Sequence, residues 1–151
     1  HALEWAKASA IVMHDHPEGI RGAQAVALAV YLARSGGSQD AIRQEIEARV
    51  GYDQSRPLDE IRPDYGLEIS CQASVPEAIT AFLEAEIPED AIRNAVSPGG
   101  DADTQAAIAG GIVEAYSGGL PDAMVDETRS RPPEEFIMVI DEFALRHPLR
   151  G

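Results

Sequence analysis

The fold of this chain is decided by residues 97–116, SPGGDADTQAAIAGGIVEAY. The proline and the two glycines that follow it end the preceding element, and the small apolar residues after them have helical spacing. Asp101 or Asp103 can accept hydrogen bonds from the free amides at the start of the new helix. The stretch therefore predicts a glycine turn that leads directly into an apolar helix.

The same stretch places two carboxylates and a hydroxyl close together, at Asp101, Asp103 and Thr104. All three offer hard oxygen ligands, and two neighbouring carboxylates repel each other unless a cation lies between them. Helix capping is the simpler interpretation of an aspartate at this position, and it stays open. An EF-hand is excluded, because the sixth and twelfth positions from Asp101 are Ala106 and Ile112 where that loop has Gly and Glu.

Residues 99–110 resemble the C-terminal metal motif of the ADP-ribosylglycohydrolases, a family that includes the dinitrogenase reductase-activating glycohydrolases and some lens crystallins. A second block, HDHPEGIRGAQA at residues 14–25, is similar to that family's T-H-x-H-P-E-G-x-x-G-A-x-A segment. Residues 3–6, 70–78 and 90–95 also fit the family pattern, and in the same order. The resemblance therefore extends from about residue 2 to residue 121.

The resemblance implies a hydrolase that cleaves the N- or O-glycosidic bond between ADP-ribose and a protein side chain. Two Mg²⁺ or Mn²⁺ ions would orient the ribose hydroxyls and an attacking water. The implied metal ligands are Asp101, Asp103 and Thr104. The implied substrate contacts are His14, Gly99 and Gly100. The expected partners are ADP-ribose and ADP-ribosylated proteins, and the residue that moves the proton is not identified.

Part of the family pattern does not occur in residues 1–151. Members normally begin with a glycine-rich segment and a Thr-Asp-Asp motif that supplies the other side of the two-metal site. We therefore expect the C-terminal portion of a longer enzyme, inactive alone, whose exposed faces are covered by a second copy or by a companion N-terminal segment. An inactive ADP-ribose-binding or regulatory module and a structural role like that of the crystallins stay open.

Composition indicates one domain over residues 1–151, with 44% hydrophobic residues and a core of Ala, Ile, Leu and Val. The formal net charge of -14 argues against binding to nucleic acid or to anionic membranes. The single cysteine, Cys71, permits no intrachain disulfide, and we expect it to be a small buried hydrophobe. No apolar run is long enough to span a membrane, so the expected location is cytoplasmic.

Helical spacing recurs along the chain and no run alternates as a strand would, so we predict an all-α fold. The expected architecture is a compact orthogonal helical domain of the ADP-ribosylglycohydrolase type. Residues 20–35 are predicted to form the central helix, and Ser38 is predicted to cap a helix over residues 39–50. We interpret residues 74–77, SVPE, as a capping box that begins a further helix.

Overall fold

The computed structural model describes residues 1–13, 15–66 and 69–148. These ranges contain helices and connecting loops without a strand, which confirms the all-α prediction. The helices are α1 (Ala2–Ala10), α2 (Pro17–Arg34), α3 (Gln39–Val50), α4 (Leu58–Ile61), α5 (Cys71–Leu83), α6 (Pro88–Val96), α7 (Ala102–Ser117), α8 (Asp122–Arg129) and α9 (Glu134–Arg146).

Helices α2, α5 and α7 pack against one another and form the centre of the molecule. Their inward side chains include Ala25 and Ala29 on α2, Ile79 and Phe82 on α5, and Ile112 on α7, all 0% exposed. Alanine on α2 lets the neighbouring helices approach closely, while the larger side chains of α5 and α7 fill the space between them. The core therefore depends on small and branched residues, as the composition predicts.

Helix α3 has the predicted bounds because local signals define both of its ends. The Ser38 hydroxyl accepts a hydrogen bond from the Ala41 amide at 3.2 Å. Gly51 ends the helix with φ +77°, a backbone conformation that glycine adopts without strain. Ile42 and Ile46, one turn apart, are both fully buried and fix the inward face of α3.

The predicted capping box at residues 74–77 is wrong. Helix α5 already begins at Cys71, and Ser74 lies inside it, where its hydroxyl donates to the Ser70 carbonyl oxygen at 2.9 Å. Pro76 usually interrupts a helix because it lacks an N–H group. Here the helix continues through Pro76 because residues 74–76 and 78–83 are all buried in the core, and this burial outweighs the lost hydrogen bond.

Helix α9 presents an exposed apolar face. Phe136, Val139, Ile140 and Phe143 are 57, 65, 48 and 62% exposed, although they are spaced to share one side of the helix. The cover that we predict for such faces, a second copy or a companion segment, stays a prediction. Within the part of the chain that the structure describes, no helix has the length and hydrophobicity needed to cross a bilayer.

Candidate functional site

The predicted metal ligands lie at the start of α7. Asp101 is the N-cap residue of this helix, but its side chain makes no capping hydrogen bond. Its carboxyl group lies close enough to that of Asp103 to be the largest cause of the lowered pKa of Asp103. Thr104 follows directly and is exposed. The helix start therefore places the two carboxylates near each other, and their role as metal ligands stays a prediction.

The pKa of Asp103 lies below its ordinary value of 3.8. The largest cause is the hydrogen bond with Asp101, followed by hydrogen bonds from the backbone amides of Thr104 and of Asp103 itself. These contacts stabilise the ionised carboxylate. Asp103 is fully exposed, so at neutral pH it presents a negative charge to solvent at the start of α7.

Two glycines form the turn before α7, which we call the motif turn (residues 99–101). Gly99 and Gly100 have φ +83° and +68°, values that favour glycine. A Cβ atom built on Gly100 would lie 2.7 Å from Tyr65 Cε1 and 2.9 Å from the Gly66 carbonyl oxygen. At Gly99 no atom lies within 4 Å of such a Cβ. Gly100 thus allows a close approach, and the substrate contact implied for both glycines stays a prediction.

Gln105 was not among the predicted site residues, yet its side chain contacts the motif turn. Its side chain is 0% exposed. The side-chain amide donates to the Tyr65 hydroxyl at 3.0 Å and to the Gly99 carbonyl oxygen at 3.4 Å. The available signal was a lone amide among the small and aliphatic residues of α7, but its partner Tyr65 is distant in sequence.

Of the two histidines in the second block, the structure describes His16 and not His14. His14 lies outside the described residues, so its implied contact with substrate stays a prediction. His16 is the N-cap residue of α2, where its Nδ1 atom accepts a hydrogen bond from the Glu18 amide at 3.3 Å. The ring of His16 therefore orders the start of α2.

A cavity of about 370 Å³ lies between the starts of α2 and α5. It is lined by His16, Glu18, Gly19, Ile69, Ser70, Cys71 and Gln72. Its volume is within the range of small-molecule sites. Both walls belong to sequence blocks that fit the family pattern, residues 14–25 and 70–78, but no residue of the α5 wall was predicted to belong to a site.

Cys71 contacts both the hydrophobic core and the cavity, so it is not simply the buried hydrophobe that the sequence predicts. It is half-buried and packs against the hydrophobic core, yet it also lines the cavity. A Cβ atom on Gly22 would lie 3.2 Å from the Cβ atom of Cys71. Gly22 therefore allows α2 and α5 to pack closely at this point.

The carboxylate of Glu18 in the cavity wall lies beside a guanidinium group. Glu18 Oε2 is 3.6 Å from Arg21 Nη1. Arg21 Cζ lies 4.4 Å from the centre of the Tyr52 ring, and Arg21 Nε donates to the Val50 carbonyl oxygen at 2.8 Å. Arg21 thus joins α2 to the end of α3 and partly neutralises the one carboxylate in the cavity wall.

Glu77 on α5 is half-buried, and among the described residues its Oε2 atom has no hydrogen-bond partner. Burial raises the pKa of this carboxyl group above its ordinary value of 4.5. Since the proton binds more tightly in the folded chain than in the unfolded one, ionisation of Glu77 lowers the stability. This loss sets in as the pH rises above 4.5 and is complete above the folded pKa.

We expect Glu77→Gln to raise the melting temperature at pH 7, because the amide removes a buried charge without changing the shape of the side chain. A gain of ~1 kcal/mol corresponds to roughly 2–4 °C in a chain of this size. Calorimetry at pH 4 and pH 7 measures the effect, which should be smaller at pH 4. The matched control is Glu114→Gln on the exposed side of α7. A Glu77→Gln chain that melts below wild type at pH 7 would contradict this account.

The metal assignment rests on two carboxylates. Across residues 1–13, 15–66 and 69–148, no group of three or more His, Cys, Asp or Glu side chains is arranged to hold a metal ion. Asp101 and Asp103 therefore form a pair, with the Thr104 hydroxyl as the third predicted ligand. The metal itself and its identity stay predictions.

Comparison with known proteins agrees with the resemblance noted in the sequence. The family model described as ADP-ribosylglycohydrolase matches residues 1–148. An uncharacterised protein of Archaeoglobus fulgidus is 31% identical over 141 residues, which cover 84% of this chain and 46% of the archaeal protein. The chain thus spans about half the length of this curated relative. Because the family model matches nearly the entire sequence, this chain belongs to the ADP-ribosylglycohydrolase family.

Proposed function

We propose that this chain supplies one side of a divalent-metal site in a hydrolase that removes ADP-ribose from modified proteins. The observation that carries the proposal is the Asp101–Asp103 pair at the start of α7, in a chain of this family. Two carboxyl groups within hydrogen-bonding reach, one of them fully exposed, are suited to a cation rather than to the interior of a fold.

The donor set fits a hard divalent cation. Asp101, Asp103 and Thr104 offer only oxygen atoms, which Mg²⁺ and Mn²⁺ prefer over nitrogen or sulfur. When bound, such an ion would supply positive charge to the ribose hydroxyls and lower the pKa of a water molecule. The residues of this chain would hold the ion at the helix start, and Gly100 would keep the preceding backbone close to Tyr65.

The cavity between α2 and α5 supports the second part of the proposal, the binding of ADP-ribose. Ser70 and Gln72 offer polar groups along one wall, and Ile69 offers apolar surface against which a base can pack. The starts of both helices carry partial positive charge. That charge would partly offset the net charge of -14 for a ligand that contains a pyrophosphate.

We expect Gln72→Trp to weaken ADP-ribose binding by about tenfold or more, ~1.4 kcal/mol, because the indole would occupy the cavity. Gln72 is exposed at the cavity edge, so the larger side chain does not disturb the core. Titration calorimetry with ADP-ribose in the presence of Mn²⁺ measures the change. Gln44→Trp, an exposed position on α3, is the matched control. Equal affinity in the Gln72→Trp chain and wild type would remove the cavity from the proposal.

A second candidate function is an ADP-ribose-binding module that hydrolyses nothing. The small number of metal ligands favours this candidate. In the described ranges, no third His, Cys, Asp or Glu side chain lies with Asp101 and Asp103 in an arrangement that could hold a metal ion. An octahedral cation held by two carboxylates and one hydroxyl keeps about half of its ligands as water. Release of ADP-ribose from a modified protein at saturating Mn²⁺ separates the candidates, because binding without release supports the module.

A further inference from the structure

Gln105 is a buried amide whose hydrogen bonds, rather than its packing, explain its presence in α7. The side chain is fully buried, and its Nε2 atom donates to the Tyr65 hydroxyl at 3.0 Å. The same nitrogen lies 3.4 Å from the Gly99 carbonyl oxygen, which it supports as a second acceptor. Burying an amide is unfavourable unless it is hydrogen-bonded. These two contacts therefore connect α7 to the motif turn and to the loop that carries Tyr65.

The Tyr65 hydroxyl fixes the direction of this hydrogen bond. It has a single proton, which it donates to the Ala73 carbonyl oxygen at 3.1 Å. It must therefore accept from Gln105, so the nitrogen of that amide faces Tyr65. The Oε1 atom of Gln105 is left buried without a partner among the described residues, an arrangement that costs stability. An apolar side chain here would avoid that cost, which indicates a role for the amide beyond stability.

The ring of Tyr65 completes the connection. Its edge packs against Gly100 so closely that a Cβ atom there would lie 2.7 Å from Cε1. Its hydroxyl holds Ala73, which lies in the first turn of α5 directly after the cavity-lining residues 70–72. Tyr65 thus contacts both Gly100 in the motif turn and Ala73 at the edge of the cavity.

We propose that Tyr65 and Gln105 are positioning residues, which hold the motif turn in a fixed place relative to the cavity. This inference rests on the proposed function, in which a cation bound by Asp101 and Asp103 must act on ADP-ribose held in the cavity. Neither side chain needs to contact the ligand or the ion. Their effect is to keep the two carboxylates in place before the ion or the ligand binds. Less conformational entropy is then lost on binding.

The test is Tyr65→Phe, which keeps the ring against Gly100 and removes the hydroxyl that bonds Gln105 and Ala73. Tyr52→Phe is the control, because Tyr52 is a buried tyrosine whose hydroxyl has no hydrogen-bond partner among the described residues. Two measurements apply: hydrogen exchange of residues 97–104 in the metal-free chain, and Mn²⁺ affinity by electron paramagnetic resonance.

We expect Tyr65→Phe to speed exchange in residues 97–104 by about five- to tenfold and to weaken Mn²⁺ binding by a similar factor. Exchange in α3 should not change, and Tyr52→Phe should match wild type in both measurements. Gln105→Met, which removes the amide but keeps the length of the side chain, should act on the same residues. The effect of the double variant should be smaller than the sum of the two single effects, because both single variants remove the hydrogen bond between Tyr65 and Gln105.

Exchange in residues 97–104 that is equal in Tyr65→Phe and wild type would overturn the inference. Faster exchange throughout the chain, α3 included, would also overturn it, because that pattern reports a general loss of stability. A wild-type chain that does not bind Mn²⁺ would instead overturn the proposed metal site. The exchange data would then decide alone whether Tyr65 and Gln105 hold the motif turn.

Discussion

Gly100→Ala should lower the melting temperature by about 4–20 °C, whereas Gly99→Ala should lower it by about 2–8 °C. Both glycines have positive φ, so an alanine at either position costs roughly 1–2 kcal/mol of backbone strain. The difference between them comes from the surroundings. The new methyl group at Gly100 would overlap Tyr65 and the backbone of Gly66, whereas at Gly99 it would meet open space.

Thermal denaturation of the two variants and wild type, without added metal, is sufficient to check this. Gly99→Ala serves as the internal control, because it introduces the same residue one position away with a similar φ. Overpacking adds about 1–3 kcal/mol to the destabilisation at Gly100 only, because the Gly66 carbonyl oxygen belongs to the backbone and cannot rotate away as a side chain can. Equal melting temperatures would show that the motif turn moves freely relative to Tyr65, which would also weaken the positioning role proposed for that residue.

The elements that the sequence predicted well are those with local signals. Ser38 begins α3 and Gly51 ends it, and the bounds of this helix agree with the predicted residues 39–50. A capping hydroxyl or a left-handed glycine acts within one turn, so its effect is visible in a short window of sequence. The motif turn is also predicted by a local signal, because two adjacent glycines favour a turn and Asp101 follows them directly at the start of the helix.

The parts that were missed depend on contacts between distant segments. The start of α5 was misplaced because Pro76 and Ser74 resemble a helix beginning, and only the burial of the helix in the core reverses that preference. Residues 70–72 fit the family pattern, but the sequence did not predict that they line a cavity. The bond from Gln105 to Tyr65 spans 40 positions, and no periodicity in one sequence records such a partner.

The second large effect concerns the carboxylate pair. Replacing Asp101 and Asp103 together by asparagine should abolish the response of the chain to divalent ions. In wild type, Mn²⁺ at ten times its dissociation constant should stabilise the fold by about 1.4 kcal/mol, or roughly 3–6 °C. The double variant should show no shift. Asp122→Asn, which removes an exposed carboxylate from the first turn of α8, should respond like wild type.

The same variant also distinguishes a metal site from a helix cap when the metal is removed. The Asp101 side chain, and then the backbone amides of Thr104 and Asp103, lower the pKa of the Asp103 carboxyl group. Ionised Asp103 therefore contributes stability above pH 3.8 that is lost as the pH falls through the folded pKa. An asparagine oxygen can accept from the same amides. Asparagine also ends the repulsion between two ionised carboxylates at neutral pH.

The double variant in chelator at pH 7 should therefore melt no lower than wild type. Thermal denaturation of both chains with and without Mn²⁺ gives the answer in one series. A double variant that melts well below wild type in chelator would show that the two aspartates stabilise the start of α7 themselves, and the capping interpretation would replace the metal site. A variant that still responds to Mn²⁺ would place the ion elsewhere in the chain.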